Sequence, residues 1–476
     1  MKFPSLIWIA VLGVLTACTS TPPYRNGDYL SLDSCDKVYK DYDNTLLLSE
    51  TPAINGNDAC WKQSREKHEK YDALFVEFDD QGWVQGSSEE KSPTKKDHLS
   101  NLYSAIRDLR GDQNTGQRLS ILVFVHGWQH NAEPDDPNVH AFRRMLLSAN
   151  HLETVAAGKG PKPRVVGIYV GWRGKSLRIP VLNNLTFWER KNTAEKVAQG
   201  GVRELFLWLD WLRDTDRPNN EQYVTVLTIG HSFGGLVTFE AMNSDFVRNG
   251  VRFKSNPLKP EDRFMSRVGD LVVIANPAFE GARYEELRAV ARRFPEVERN
   301  QLPVVIVATS EADWATRYAF PIARWFNVIF ESSPGEEAEA NVKTVGHNSR
   351  YITHELSLCK GADCEAMCKK RESGFGPLDE FNAQQEYEYM AEIARRGFDF
   401  TKKKPAQQRL CDGLELKWTS EAYPDHNPYW VVRTTGDIMR DHNDIFNENM
   451  VAFVRQIFSA FVAARNQYNE GKRVGK

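Results

Sequence analysis

Tyr223-Val224-Thr225-Val226-Leu227-Thr228-Ile229 runs directly into Gly230-His231-Ser232-Phe233-Gly234-Gly235 and then into residues with helical spacing from Leu236 to about Met242. A β-branched apolar run, a glycine-flanked serine and a helical pattern, in that order, predict a strand, a sharp turn and a helix. Such a turn lifts the Ser232 hydroxyl above the sheet edge, and glycine at 230 and 234 leaves out side chains that would collide across it. A G-x-S-x-G pattern alone is a weak signal. Here the flanking strand and helix are those the mechanism requires.

The segment Gly230 to Gly235 resembles the nucleophile elbow of the α/β-hydrolase superfamily of lipases and esterases. The resemblance implies a mostly parallel central sheet flanked by helices, and it covers about 73–313 and 429–461. Apolar strands alternating with helices support the same class. Ala73-Leu74-Phe75-Val76-Glu77-Phe78 and Trp83-Val84-Gln85, around Asp79 to Gly82, predict an opening hairpin. His98 to Leu109, Asn138 to Leu147 and Tyr284 to Arg293 read as helices, and Thr193 to Arg213 as one long amphipathic helix. Val165 to Val170, Asp270 to Ala275 and Pro303 to Thr309 read as further strands. Gly171-Trp172-Arg173-Gly174-Lys175-Ser176 is not a phosphate loop, because Tyr169 stands where G-x4-GK[ST] needs its first glycine. It reads as a loop at the rim of the site, with Trp172 a candidate wall of the substrate pocket.

Leu119 to Val125 is an apolar run buried on both faces, hence a central parallel strand, and His126-Gly127-Trp128 stands at its end. In the superfamily a His-Gly pair here belongs to the loop that supplies one oxyanion donor, the other being the amide after the nucleophile. By that resemblance the donors are the amides of Phe233 and Trp128, and His126 is a structural histidine that orders the loop. A serine hydroxyl needs a base within hydrogen-bond reach, and the base needs an orienting carboxylate. The superfamily order of serine, acid and histidine implies Asp313, in Ser310-Glu311-Ala312-Asp313-Trp314, and His442, between the late strand Trp430 to Thr435 and a terminal helix through Phe461. Glu311, Glu280, Asp437 and Asp441 remain alternative acids. His347, His354 and His426 are the less favoured histidines. Trp314, beside the acid, is a candidate substrate contact.

The first residues, Met1-Lys2-Phe3-Pro4, an apolar run from Ser5 to Leu15 and then Leu15-Thr16-Ala17-Cys18, read as a secretory signal too short for an ordinary membrane span. Leu-Thr-Ala-Cys resembles the lipobox of bacterial lipoproteins. That implies lipidation of Cys18, and Thr19 after it favours the outer membrane facing the periplasm. Six cysteines remain, an even number suited to an oxidising compartment. Cys35 and Cys60 lie together and away from the rest, and are expected to pair. Cys359, Cys364, Cys368 and Cys411 allow three pairings. A four-cysteine zinc site competes, but Cys-x4-Cys-x3-Cys is not a standard ligand knuckle.

The chain has 476 residues, a net charge of -3 and no Lys/Arg-dense run, which argues against a nucleic-acid partner. The expected organisation is a signal peptide (1–17), a tether and small N-terminal segment (18–70), the first part of the core (71–315), a disulfide-containing cap or lid (316–428), and the last strand, histidine loop and helix (429–476). Within the cap, the aromatic run Ala319 to Phe330 suits an acyl pocket, a bilayer contact or simply the core of the insertion. The expected activity is cleavage of carboxylic esters through an acyl-serine, with a small-molecule or lipid ester as substrate and neither cofactor nor metal. The alternative is a catalytically silent hydrolase fold serving as an envelope binding or assembly module.

Overall fold

In a computed structural model the described residues are 22–25, 35–48, 50–56, 58–86, 97–111, 116–173, 183–215, 221–255, 270–293, 297–328, 335–360, 380–398, 400, 407–419, 423 and 426–474. Cys18, the segment 1–17 expected as a signal peptide, Cys364 and Cys368 lie outside them. Among the described residues eleven strands form one sheet: β1 (Arg65–Lys67), β2 (Tyr71–Phe78), β3 (Leu119–Val125), β4 (Arg164–Trp172), β5 (Val224–His231), β6 (Leu271–Ala275), β7 (Val305–Ser310), β8 (His354–Leu358), β9 (Gln407–Arg409), β10 (Leu414–Trp418) and β11 (Tyr429–Thr434). Their order is β1-β2-β4-β3-β5-β6-β7-β11-β8-β10-β9. From β2 to β8 every pairing is parallel, and antiparallel strands close both sides.

Period-two alternation explains why these apolar runs are strands with helices on both faces. In β3, Ile121, Val123 and Val125 pack into one core layer with α2 (His98–Arg110), α5 (Gly201–Thr215), α6 (Phe233–Ser255) and α7 (Glu285–Ala291). Leu122 and Phe124 point the other way, into a layer with α1 (Asp36–Leu47), α3 (Pro137–Ala157), α10 (Glu380–Arg396) and α11 (Glu448–Val474). Each fully buried large apolar side chain contributes about 1.5–3 kcal/mol, so the two layers hold the strand register firmly. That register aligns strand ends: Val125 opposes Gly230, His231 opposes Ala275, Ala275 opposes Ala308, and Ser310 opposes Thr434. The loops after β3, β5, β6, β7 and β11 therefore emerge along one edge.

The structure corrects several expectations. The long helix expected over 193–213 is two, α4 (Asn183–Gln199) and α5, divided at Gly200-Gly201, where a Cβ on Gly200 would collide with the Gly82 carbonyl. The opening hairpin reduces to one bridge, Phe78 to Val84, after a turn in which Asp79 Oδ1 accepts the amides of Gln81 and Trp83. The antiparallel partner of β2 is instead the upstream β1. The stretch expected as a cap divides in two: α8 (Phe320–Val328) and α9 (Gly335–Val342) come first, but β8, β9 and β10 extend the sheet, with α10 packed against α11. Local pattern does not reveal this, because an added antiparallel ladder needs only short segments and a free edge.

The described residues before β2 include part of the packed body: Tyr39, Tyr42 and Trp61 are buried in the second layer. Cys35 and Cys60 are disulfide-bonded. Arg25, Glu66, His68 and Arg143 have fully buried side chains: Glu66 Oε1 accepts from Arg25 Nη1 and Arg143 Nη2, each at 2.7 Å, and His68 Nε2 stands 3.2 Å from Glu66 Oε2. Buried charge is tolerated only when paired in this way. Burial pushes the Glu66 carboxyl up, but the two guanidinium groups outweigh it and hold it well below the ordinary range. The backbone amides of Tyr24 and Arg25 donate to Glu77, near the end of β2. Cys359 and Cys411 each belong to a disulfide, which removes the zinc alternative for those two thiols.

Candidate active site

Ser232 occupies the single residue between β5 and α6 with φ +56°, a conformation that non-glycine residues adopt only at a cost. Close packing enforces it: a Cβ on Gly230 would stand 2.5 Å from Thr238 Oγ1, and one on Gly234 would collide with the Val125 carbonyl. The Ser232 amide donates to Ala275 O at 3.0 Å, tying the turn to β6. The Phe233 amide lies in the first turn of α6, where the helix dipole is positive.

His442 Nε2 lies 2.8 Å from Ser232 Oγ, and His442 Nδ1 lies 2.8 Å from Asp313 Oδ2. A carboxylate can only accept, so Nδ1 carries the proton and Nε2 accepts from the serine hydroxyl. Asp313 is fully buried in the loop after β7. It also accepts from Thr316 Oγ1 at 2.5 Å and Thr316 N at 3.1 Å, and His347 Nε2 stands 3.0 Å from Thr316 Oγ1. Burial raises the Asp313 carboxyl, but the His442 and Thr316 hydrogen bonds and the His442 charge outweigh it and leave it below the usual carboxylate range. His347 is held down to about 4, chiefly by burial, so as a neutral ring it donates to the threonine oxygen.

Two groups not singled out from the sequence hold the His442 loop. Asn276, at the end of β6 with φ +44°, donates Nδ2 to His442 O at 3.0 Å and Asp441 O at 3.3 Å, while its Oδ1 accepts the Ser310 amide at 2.9 Å. His231 is lowered to about 3 by burial and then by the His442 charge, so the neutral ring donates Nε2–H to His442 O at 2.9 Å. The ends of β5, β6 and β7 thus clamp the histidine loop through its backbone. Asn276 carries no sequence signal beyond its place at a strand end, and His231 is merely the second residue of the elbow.

Gly127 must be glycine, since a Cβ there would lie 2.9 Å from both Ser232 Cβ and His231 Nδ1. The loop carrying Gly127 and Trp128 therefore runs hard against the serine. His126 is fully buried; burial lowers it to about 4, and its Nε2 accepts the Trp172 amide at 3.0 Å. Trp172, expected as a pocket wall at the rim, is instead buried: it stacks on His126 and donates its indole N–H to His126 O at 2.8 Å. It braces the loop from behind. Trp314, next to Asp313, is 65% exposed.

The alternative acids lie elsewhere. Glu280 is buried against Lys191, Arg283 and Arg324, and although burial pushes it up, Lys191 and Arg283 hold it at about 2. Glu311 is exposed. Asp437 faces Lys360 across 4.0 Å, and Asp441 accepts the Asn443 amide. His354 is buried among Phe400, Trp418 and Trp430.

No protein-family model and no curated protein matches the chain. Among solved structures, a phospholipase PlaB from Legionella pneumophila in complex with thio-NAD is similar at a TM-score of 0.20 and 15% identity. The likeness covers 51% of this chain and 46% of that one, less than half its length. At that score it carries no argument about fold or activity.

Proposed function

We propose that the chain is a serine hydrolase of the α/β-hydrolase kind, cleaving carboxylic esters through an acyl-Ser232 intermediate and held on the bacterial envelope by lipid on Cys18. The observation that carries the reading is the pair of 2.8 Å contacts joining Ser232, His442 and Asp313, residues distant in sequence. Each is the residue type its neighbour needs. Ser232 Oγ attacks the ester carbonyl carbon as its proton passes to His442 Nε2, a transfer that contributes about 10²–10⁴-fold. Asp313 fixes the tautomer and stabilises the imidazolium. The amides of Phe233 and Trp128 receive the oxyanion, and each such donor contributes about 3–4 kcal/mol. Collapse breaks the bond to the leaving alcohol, which takes the His442 proton. Water then adds to the acyl carbon, giving its proton to His442, and Ser232 departs with it.

A fluorophosphonate probe forms a bond to Ser232 Oγ only if that oxygen is activated. Labelling of the parent chain, abolished in Ser232→Ala and His442→Ala, together with hydrolysis of nitrophenyl esters, is the expected result. A parent chain that takes no label and cleaves no ester overturns the reading. Labelling by radioactive palmitate, lost in Cys18→Ser, tests the anchor separately.

A further inference from the structure

We infer that the edge of the sheet bearing Ser232 lies against the bilayer, so that the substrate is an acyl ester of a membrane lipid; this rests on the hydrolase and anchor reading above. Two independent features point there. The first is an exposed ridge. Trp314, Tyr318, Ile322 and Trp325 are 65%, 48%, 60% and 50% exposed, and their spacing of four, four and three residues puts them on one side of the helical stretch that begins beside Asp313. The same stretch buries Thr316 and Phe320 on its inner side, so the outward set is a second apolar face. On the far flank of the same edge, in the turn after β2, Trp83 is 74% exposed. Indole and phenol rings favour the headgroup level of a bilayer, where one end is wet and the other is not.

The second feature is where the N-terminal chain leaves. The backbone of Tyr24 and Arg25 is bonded to Glu77, one residue before the end of β2, on the same edge as the loops carrying Ser232 and Asp313. Cys18 precedes Tyr24 by six residues. Fully extended, those six span about 20 Å, whereas β4 with its nine residues is about 30 Å long. Acyl chains on Cys18 hold the Ser232 edge near the bilayer and cannot wrap to the opposite edge. The tether and the aromatic ridge therefore favour the same orientation. Charges beside the ridge are of both signs, with Arg317 and Glu311 both exposed, so the contact is apolar rather than electrostatic and tolerates salt.

The test uses the full chain in vesicles of phosphatidylethanolamine and phosphatidylglycerol, with a nitroxide at Ile322→Cys or, as control, at Leu207→Cys on α5, the helix leading to the opposite edge. Collision with a water-soluble nickel chelate is expected to be about fivefold slower at 322 than at 207, with oxygen collision faster. Equal nickel access at the two sites overturns the inference. In a second measurement, Ile322→Asp combined with Trp325→Asp lowers fatty-acid release from the vesicles about tenfold while hydrolysis of a water-soluble butyrate ester stays within about twofold. Unchanged release from vesicles also overturns it; if both activities fall together, the nitroxide comparison decides. Absence of fluorophosphonate labelling in the parent chain defeats the hydrolase reading by itself, while the nitroxide result still supports or refutes the orientation.

Discussion

Replacing Asp313 by asparagine tests the catalytic assignment at its most sensitive point, because the exchange keeps shape and volume and alters only which atoms donate. Three donors converge on the carboxylate: His442 Nδ1–H and Thr316 Oγ1–H on Oδ2, and Thr316 N–H on Oδ1. An amide must turn its NH2 toward one side. Toward the Thr316 amide it sets donor against donor in a fully buried place, at a cost of about 1–3 kcal/mol. Toward His442 it donates to Nδ1 and drives the imidazole proton to Nε2, where it faces Ser232 Oγ. The imidazole then cannot accept the serine proton. In the equivalent serine-protease exchange the loss of kcat is about 10⁴-fold with geometry intact, and a loss of about 10³–10⁴ in kcat is expected here with KM nearly unchanged. The assay is steady-state hydrolysis of a nitrophenyl ester beside the rate of fluorophosphonate labelling, with circular dichroism as the check on folding. A folded Asp313→Asn chain that keeps kcat within about tenfold of the parent refutes the role given to Asp313, since a wrong tautomer cannot act as a base.

Asn276→Ala removes the side-chain bonds to His442 O and the Ser310 amide and leaves alanine at positive φ; a loss of about 2–4 kcal/mol in urea unfolding and about 10² in kcat is expected, and an unchanged kcat defeats its positioning role. Gly127→Ala must move the loop away from Ser232, so kcat falls by about 10²–10³ and stability by about 1–3 kcal/mol in urea unfolding; a folded variant with kcat within about tenfold of the parent contradicts the close approach of this loop to the serine. Glu280 has its carboxyl at about 2 in the fold against an ordinary 4.5, which corresponds to about 3 kcal/mol of stability. That contribution is fully present above pH 4.5 and is lost as pH falls through about 2. Glu280→Gln is accordingly less stable than the parent at neutral pH, and the gap closes in acid; a gap independent of pH contradicts the ion-pair account.

Local sequence was informative wherever the physics is local. The elbow is legible because one serine at positive φ, glycines at its collision points and a strand-to-helix change of period occupy adjacent positions. The parallel strands are legible because burial on both faces demands long apolar runs such as Leu119 to Val125 and Val305 to Ser310. Ser232 and His442, chosen from motif and chain order, are the pair that the fold brings to 2.8 Å. Which carboxylate meets the imidazole was open in the sequence, with Asp313, Glu311, Glu280, Asp437 and Asp441 all present. Register set aside Glu280 by aligning β7 with β11, which places the loops after Ser310 and Thr434 side by side. Within the first of them the Glu311 amide continues the ladder to Thr434 O and its side chain is exposed, while the turn closed by Asp313 N on Ser310 O buries Asp313 against the imidazole. The same holds for Asn276 and His231, whose bonds to a backbone carbonyl more than 160 residues away leave no local pattern. It holds too for Trp172, which looks like a rim residue until β3 and β4 pair and close it over His126. Within the segment expected as a lid, β8, β9 and β10 joined the sheet because β11 offered an unpaired side to β8 in parallel, which the short antiparallel β10 and β9 could then extend. Periodicity follows from the bonds of neighbouring residues and is written in the sequence, whereas the choice among distant partners is made only when packed strands fix their relative heights.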